Sequence, residues 1–339
     1  MPNWTDDEGV ASAPPPPKEG LKRWWPLLLA AVLAAGLYAW LGRGTASGDV
    51  LHVGSQRGGT KALMLASGAL DGAPYRVEWS EFPAAQNLLE AIGAGAVDVG
   101  MVGDAPFQFA YQSGSPIKAV AVQSATSRPR ESLAILVPAR SKIDNVAGLR
   151  GKRVATTRGS VGHYLLLRAL DAKGLKPTDV LLTFLAPGDA KAAFDTGSID
   201  AWSIWSPYSG AALAQGARVV ADGADYLSGY AFDAANATTA VSKQAILKDF
   251  LQRETRALDW ARAHPDAYAA VLARETGLPL TIALFHAKHL PMARVPVDAT
   301  VRAEEHDVVA QFRKAGALAG NRPLDDAYLP LDQGPNNAR

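Results

Sequence analysis

The sequence predicts an α/β protein of two similarly built lobes, each a mostly parallel sheet flanked by helices, preceded by an N-terminal transmembrane helix. Three observations point there. Short β-forming runs alternate with helical runs from about residue 50 to residue 221, the pattern of a parallel sheet with covering helices. A glycine-rich turn stands where a helix should begin in each half of the chain: Gly54-Ser55-Gln56-Arg57-Gly58-Gly59 and Arg158-Gly159-Ser160-Val161-Gly162-His163. One helix-to-strand unit occurs twice, as Ala94-Gly95-Ala96-Val97-Asp98 and Thr196-Gly197-Ser198-Ile199-Asp200, and its glycine suits the left-handed residue that closes a helix.

In chain order, the first lobe should open at residue 49, with a strand at 50–54 and a helix from about 59 to 70. Strands at 75–79, 97–101 and 117–124 follow, with helices at 84–94 and 105–113 between them. Leu133-Ala134-Ile135-Leu136-Val137 is a β-forming run stopped by Pro138, read as the crossing into a second lobe over 137–235. That lobe should hold strands near 154 and at 180–184, 199–204 and 217–221, and helices at 161–173, 187–196 and 207–215. The chain is expected to return around 233–240. Residues 236–320, read as helical over 243–319, then complete the lobe begun at 49–136, and 321–339 form a C-terminal tail.

Ahead of the lobes, residues 24–41 are an uncharged, mostly apolar run that as a helix spans roughly 27 Å, close to a bilayer core. Lys18, Lys22 and Arg23 precede it and only Arg43 closely follows, so the positive-inside rule leaves 1–23 in the cytoplasm and exports the rest. A cleaved secretory signal, cut near Gly44-Thr45-Ala46, is the alternative; the folded part is exported in both cases. Residues 42–48 are small and polar and read as a linker.

The 339 residues suffice for about two domains, and 48% hydrophobic with 20% charged residues describes a globular chain. A net charge of +1, with no basic stripe interleaved with aromatics, argues against a nucleic-acid partner. The absence of cysteine removes disulfides, thiolate zinc sites and thiol catalysis together. No cofactor or metal is implied.

The helix starts carry the chemistry. Free N–H groups at a helix N-terminus, reinforced by the dipole, form an uncharged cradle for an anion. The backbone amides of Val161, Gly162 and His163 with the Ser160 hydroxyl would supply the second-lobe half of such a site; an ordinary Ser160 N-cap is the bland alternative. From the first lobe, Gln56 lies just past a strand end, Gly58 permits close backbone approach, and Arg57 is either a contact or a solvated charge. Gly103-Asp104-Ala105 forms another strand-to-helix turn whose amides could face the cleft, although the Asp104 carboxylate would repel an anion and suits capping better. Phe82, Trp202 and Trp205 offer aromatic walls for the ligand's tail, or are simply core. His163 has no partner at metal-ligand spacing and reads as a satisfied histidine at a helix start.

Several tracts together resemble the aliphatic sulfonate-binding proteins of ABC importers: Glu81-Phe82-Pro83-Ala84, residues 89–100, Val102-Gly103-Asp104-Ala105-Pro106, residues 159–170, and Ala201-Trp202-Ser203-Ile204-Trp205-Ser206-Pro207-Tyr208. The likeness runs from about residue 50 to 320, within a wider family that includes taurine, nitrate and thiamine-precursor binders. It implies a type II periplasmic binding protein fold that closes over a small organic sulfonate and delivers it to an inner-membrane permease, as a monomer and without catalysis. Two departures are visible. The N-terminal extension with its apolar run at 24–41 would tether the protein to the inner membrane, and Ser206 stands where the sulfonate branch commonly has Asp.

Overall fold

Two short strands and the helix between them set the plan of the molecule and are used twice. In the computed structural model, which describes residues 49–56, 59–127, 130–289 and 291–332, β1 (Val50–Gln56) leads through α1 (Thr60–Ser67) to β2 (Arg76–Phe82), then through α2 (Ala85–Gly93) to β3 (Val99–Gly103). After α3 (Asp104–Gln112) and β4 (Ile117–Ala125) come β5 (Leu133–Val137), β6 (Arg153–Thr156), α4 (Val161–Asp171), β7 (Leu181–Phe184), α5 (Pro187–Asp195), β8 (Ala201–Trp205), α6 (Tyr208–Ala214) and β9 (Arg218–Asp222). The chain ends its course through β10 (Tyr230–Asn236), α7 (Ala237–Ser242), α8 (Gln244–Ala263), α9 (Pro265–Thr276), α10 (Leu280–His289), β11 (Met292–Val295) and α11 (Ala299–Lys314).

The strands form two sheets, ordered β11-β4-β10-β3-β1-β2 and β7-β6-β8-β5-β9. Within them β3-β1-β2 and β8-β6-β7 are parallel triplets of one design. The repeated Gly-x-x-Asp unit does the same work in both. Asp98 Oδ2 accepts the His52 N–H at 2.8 Å and its own N–H donates to His52 O at 2.8 Å; Asp200 and Arg153 make the same pair of bonds at the same two distances. Gly95 and Gly197, at φ of 76° and 70°, turn the chain from helix into strand ahead of each aspartate.

The expectation of mostly parallel sheets needs correction: β5 runs antiparallel to β8 and β9, and β10 runs antiparallel to β3 and β4, so both sheets are mixed. The reason is connectivity. β5 and β10 follow the two passages between lobes and enter their sheets from the far side rather than by a helical crossover, which alone forces parallel pairing. The sheets also shift the expected borders. β5 belongs wholly to the second sheet and β10 wholly to the first, so the passages fall at residues 126–132 and 223–229 rather than at 136/137 and 235/236. The stretch read as continuous helix over 243–319 contains β11, four residues between Pro291 and Pro296 that pair with β4.

Burial follows the layers. Leu51, Val53, Met64, Phe250 and Leu251 pack one face of the first sheet, Leu88, Ile92, Phe107 and Phe232 the other, and Leu165, Leu166 and Leu170 cover the second sheet. A separate cluster of Ala105, Tyr164, Leu167, Val308, Val309 and Phe312 joins α3, α4 and α11, so helices of both lobes share an apolar seam. Residues 321–332, expected as tail, lie along the first sheet, with Leu329 and Leu331 donating their N–H groups to Ala119 and Val120 at 2.9 and 2.7 Å. The expected transmembrane helix at 24–41 lies outside the described residues; among the described residues no helix is long and apolar enough to cross a membrane.

Candidate functional site

The start of α4 is built so that its first turn cannot wander. Ser160 has extended backbone angles and its Oγ accepts the His163 N–H at 3.1 Å, an N-cap. Gly162 sits against the carboxyl ends of β6 and β8: Ser203 Oγ donates to Gly162 O at 2.6 Å, and Thr156 Oγ1 donates to Ser203 O at 3.0 Å. Tyr164, Leu165, Leu166 and Leu167 then bury the helix on both sides, and Arg168 in its last turn complements the dipole. Within this turn the His163 amide is committed to Ser160, whereas the amides of Val161 and Gly162 meet no acceptor among the described residues.

That helix start opens on a cavity of about 270 Å³ lined from both lobes. Ser160, Val161, Trp205 and Ser206 contribute from the second lobe; Gln56, Gly59, Thr60, Gln86 and Gly103 contribute from the first. Gly103 marks a close approach of the two, since a Cβ there would lie 2.7 Å from Val161 Cγ1. Gln56 is fixed by donating from Nε2 to Met101 O at 2.8 Å. Gln86 reaches across the cleft, Nε2 to Arg158 O at 3.1 Å, and its Oε1 is buried without a partner. Ser206 Oγ is likewise buried and unpartnered.

Of the residues singled out in the sequence, Gln56, Gly103, Ser160, Val161 and Trp205 line this cavity. Arg57 and Gly58 lie outside the described residues. Phe82, Asp104, Ala105, Gly162, His163 and Trp202 are not among the lining residues, and the structure gives reasons. Trp202 is fully buried between Phe194 and Tyr208 in the core of the second lobe, because residues three apart on a strand face opposite ways and Trp205 alone turns to the cleft. Asp104 is buried and its Oδ1 accepts the Ala105 N–H at 2.6 Å, which spends the amide that might have served a ligand. Burial, with a contribution from Glu304, pushes the Asp104 carboxyl up to about 7 against that hydrogen bond. Phe82 packs on the first-lobe core around Leu88. His163 accepts the Gly159 N–H on Nδ1 at 3.2 Å and lies between the rings of Phe184 and Phe312; burial first, then the Arg158 charge, holds its pKa down to about 4, so it is a neutral packing group.

Sequence reasoning missed the opposite end of the cavity. Gln123, Glu254, Tyr268 and His286 line it, from β4, α8, α9 and α10, together with Leu63 and Leu258. Behind Glu254 lies a buried ion cluster: Arg294 donates from Nη2 to Glu254 Oε2 at 2.7 Å and from Nη1 to Asp233 Oδ2, and Gln123 Nε2 donates to Asp233 at 3.2 Å. Burial works against the Arg294 charge, but Asp233 and Glu254 outweigh it and raise its pKa. Burial, then the Asp233 charge, pushes Glu254 up to about 8 although Arg294 opposes both. His286 is held down to about 4 by burial. Glu254 sits in the middle of an amphipathic helix, where a carboxylate reads as solvent-facing. Among the described residues no group of three or more His, Cys, Asp or Glu side chains is placed to hold a metal.

Comparison with known proteins bears on this site. The family model described as NMT1/THI5 like matches residues 77–268, more than half of the chain. The chain belongs to that family. It is 36% identical over 291 residues to an Escherichia coli K12 protein named for binding aliphatic sulfonates, covering 84% of this chain and 90% of that one. Its fold matches the crystal structure of the periplasmic aliphatic sulphonate binding protein SsuA from Escherichia coli, with a TM-score of 0.73, 34% identity and coverage of 83% of this chain and 97% of the other. The alkanesulfonate-binding protein SsuA of Xanthomonas axonopodis pv. citri, solved bound to MOPS, matches with a TM-score of 0.74 at 28% identity, over 83% and 98%. The two-lobed periplasmic binding protein fold of the chain follows from these likenesses and from its two mixed sheets.

Proposed function

We propose that this chain is the solute-binding component of an ABC importer, and that it holds a small organic sulfonate in the cavity between its lobes for delivery to an inner-membrane permease. The observation that carries the reading is the α4 N-terminus: Ser160 and Val161, whose amide has no protein acceptor, line a cavity that both lobes form, and the Gly162 amide, next in the same turn, has no protein acceptor either. A sulfonate is a permanent monoanion with three acceptor oxygens, so it needs several fixed donors and no titrating base. Val161 and Gly162 amides, the Ser160 and Ser206 hydroxyls and the second Gln56 amide hydrogen supply them, and the helix dipole favours the charge without a buried cation. Trp205, Leu63 and Leu258 give the tail an apolar wall. Relatives that cover most of the chain are binding proteins.

We place the protein in the periplasm, tethered by residues 24–41 or released by cleavage after them, with residues 1–23 on the cytoplasmic side. Calorimetric titration with alkanesulfonates of graded length, alongside sulfate and nitrate, tests the function. Saturable binding of one or more sulfonates is expected, weakened by Ser160→Ala. No binding of any sulfonate removes the reading.

A further inference from the structure

The two passages between the lobes are tied to each other at both ends. At the first-lobe end Ala125 donates its N–H to Gly229 O at 3.1 Å. At the second-lobe end the tie is one carboxylate. Asp222, the last residue of β9 and 6% exposed at its side chain, accepts the Glu131 N–H on Oδ2 at 2.8 Å and the Ala224 N–H on Oδ1 at 2.9 Å, one from each passage. Arg130 joins them, 3.9 Å from Asp222 Oδ2 and donating to Asp225 Oδ1 at 2.9 Å. Beside it a Cβ on Gly223 would lie 2.9 Å from Leu133 O, so the second passage begins with no slack against β5.

Glu131 is held in a backbone conformation that its side chain disfavours. Its φ of 69° is positive, and every other positive φ among the described residues belongs to a glycine. A Cβ in that region crowds the neighbouring carbonyl, which is why glycine usually stands there. The Glu131 side chain is exposed, so packing does not hold it. The backbone on either side does: its own N–H goes to Asp222, and the next carbonyl, Ser132 O, accepts the Ser206 N–H at 2.6 Å and the Ser209 hydroxyl at 3.3 Å. Strain of this kind persists where the surroundings over-determine it.

The strain accompanies lobes that are drawn together. Gln86 donates across the cleft to Arg158 O at 3.1 Å and Tyr208 donates to Pro83 O at 3.4 Å, while Gly103 stands against Val161. Opening turns one lobe about the two passages, a rotation that a few hinge residues absorb in φ and ψ, and Glu131 is the one that gains by changing. We infer that Glu131 is a spring in the hinge, wound when the lobes meet and relaxed when they part, and that the Asp222 carboxylate is the catch that holds it wound. Ser132 and Ser206 both line the cavity, so a ligand held at Ser206 steadies the turn to which Ser132 is bonded, one residue from the spring. The resting position is therefore open, and a ligand closes the lobes by contacts that outweigh the strain. The inference rests on the sulfonate reading for the choice of ligand alone.

The chain has no cysteine, so a pair introduced at Ser80 and Gly188 carries two spin labels without background. Ser80 is exposed on β2, a Cβ at 188 meets nothing within 4 Å, and β2 and β7, which α5 follows, are the sheet edges remote from the passages. Pulsed electron paramagnetic resonance on the unliganded protein reads the lobe separation, and calorimetry with butanesulfonate reads affinity. Glu131→Gly, free of the strain, should move the unliganded distances shorter and tighten binding by up to about fivefold, through slower release. Asp222→Asn turns one acceptor into a donor facing an N–H; it should move the distances longer and weaken binding about tenfold, and adding Glu131→Gly should recover most of that loss. A merely structural Asp222 would show no such rescue. Unchanged distances in Glu131→Gly, or an Asp222→Asn defect that glycine does not rescue, overturn the inference. Where Asp222→Asn fails to fold, the distances and affinity of Glu131→Gly decide. If the native protein binds no butanesulfonate while the unliganded distances move as expected, the hinge inference stands and the sulfonate reading is the one that fails.

Discussion

Gly162→Ala isolates the contact on which the anion cradle depends. A Cβ at this position would lie 2.7 Å from Ser203 O, 2.9 Å from Thr156 Oγ1 and 3.1 Å from Ser203 C. Two of these atoms are β8 backbone, and the third is a hydroxyl already fixed by its bond to Ser203 O, so neither neighbour can swing aside. Relief to an ordinary separation of about 3.5 Å requires the first turn of α4 to lift off the sheet by more than half an ångström. Overpacking of this kind costs about 1–3 kcal/mol, which for a domain of this size lowers Tm by on the order of 5 °C. The lift also stretches the 2.6 Å bond from Ser203 to Gly162 O and moves the Val161 and Gly162 amides away from the ligand. Affinity for an alkanesulfonate should therefore fall about tenfold, beyond the loss of stability. Thermal melting and titration calorimetry read the two effects separately. Gly188→Ala is the matched control, because a Cβ there meets nothing within 4 Å and the site lies in the first turn of a helix; it should be neutral or raise stability by about 0.4–1 kcal/mol. If Gly162→Ala melts and binds like the native protein, the claim that β8 positions the cradle is refuted.

Further expectations follow from the same geometry. Ser160→Ala removes the cap of the His163 amide and should cost about 1 kcal/mol in urea denaturation, with weaker sulfonate binding; an unchanged Kd would show that the hydroxyl does not face the ligand. Arg294→Met leaves Asp233 and Glu254 buried without their cation and should cost about 3–5 kcal/mol, so a variant as stable as the native protein would contradict the ion cluster. Glu254 and Asp104 have carboxyls raised in the fold to about 8 and about 7 from 4.5 and 3.8. Their contribution to stability is full below the unfolded values and declines as pH rises through 7 and 8, so the urea midpoint should drop between pH 6 and pH 9, and less so in Glu254→Gln. A midpoint that rises over that interval would reverse the sign. Asp200, lowered by its hydrogen bond to Arg153, acts oppositely and loses its contribution only on acidification.

Legibility in the sequence tracked the range of the interactions involved. Alternating strands and helices could be read locally, and so could the duplicated Gly-x-x-Asp units, because each aspartate does a job set by the turn around it. The antiparallel entries β5 and β10 could not, since their direction depends on which sheet the chain has just left. β11 is four residues between prolines and acquires strand character only by meeting β4. At the site, Ser160 and Val161 were visible because capping chemistry is local to a helix start. Trp202 misled because an aromatic near a strand end was weighed without the two-residue period that turns it inward. Glu254 and His286 were hidden because nothing within a turn of either residue says that two distant helices converge on one wall.

The unequal wiring of the two sheets has a bearing on how the protein is made. Every strand of the second sheet comes from one uninterrupted stretch between Leu133 and Asp222, so it can pair as soon as that stretch emerges. The first sheet is interrupted. Its β4 pairs with β10, with β11 and with the segment from Tyr328 to Leu331, all of which arrive more than a hundred residues later, so an apolar strand must wait with both edges bare. For a chain threaded from its N-terminus, the lobe that begins first is the one that finishes last, and the exposure of β4 during that delay is where a holding chaperone would act.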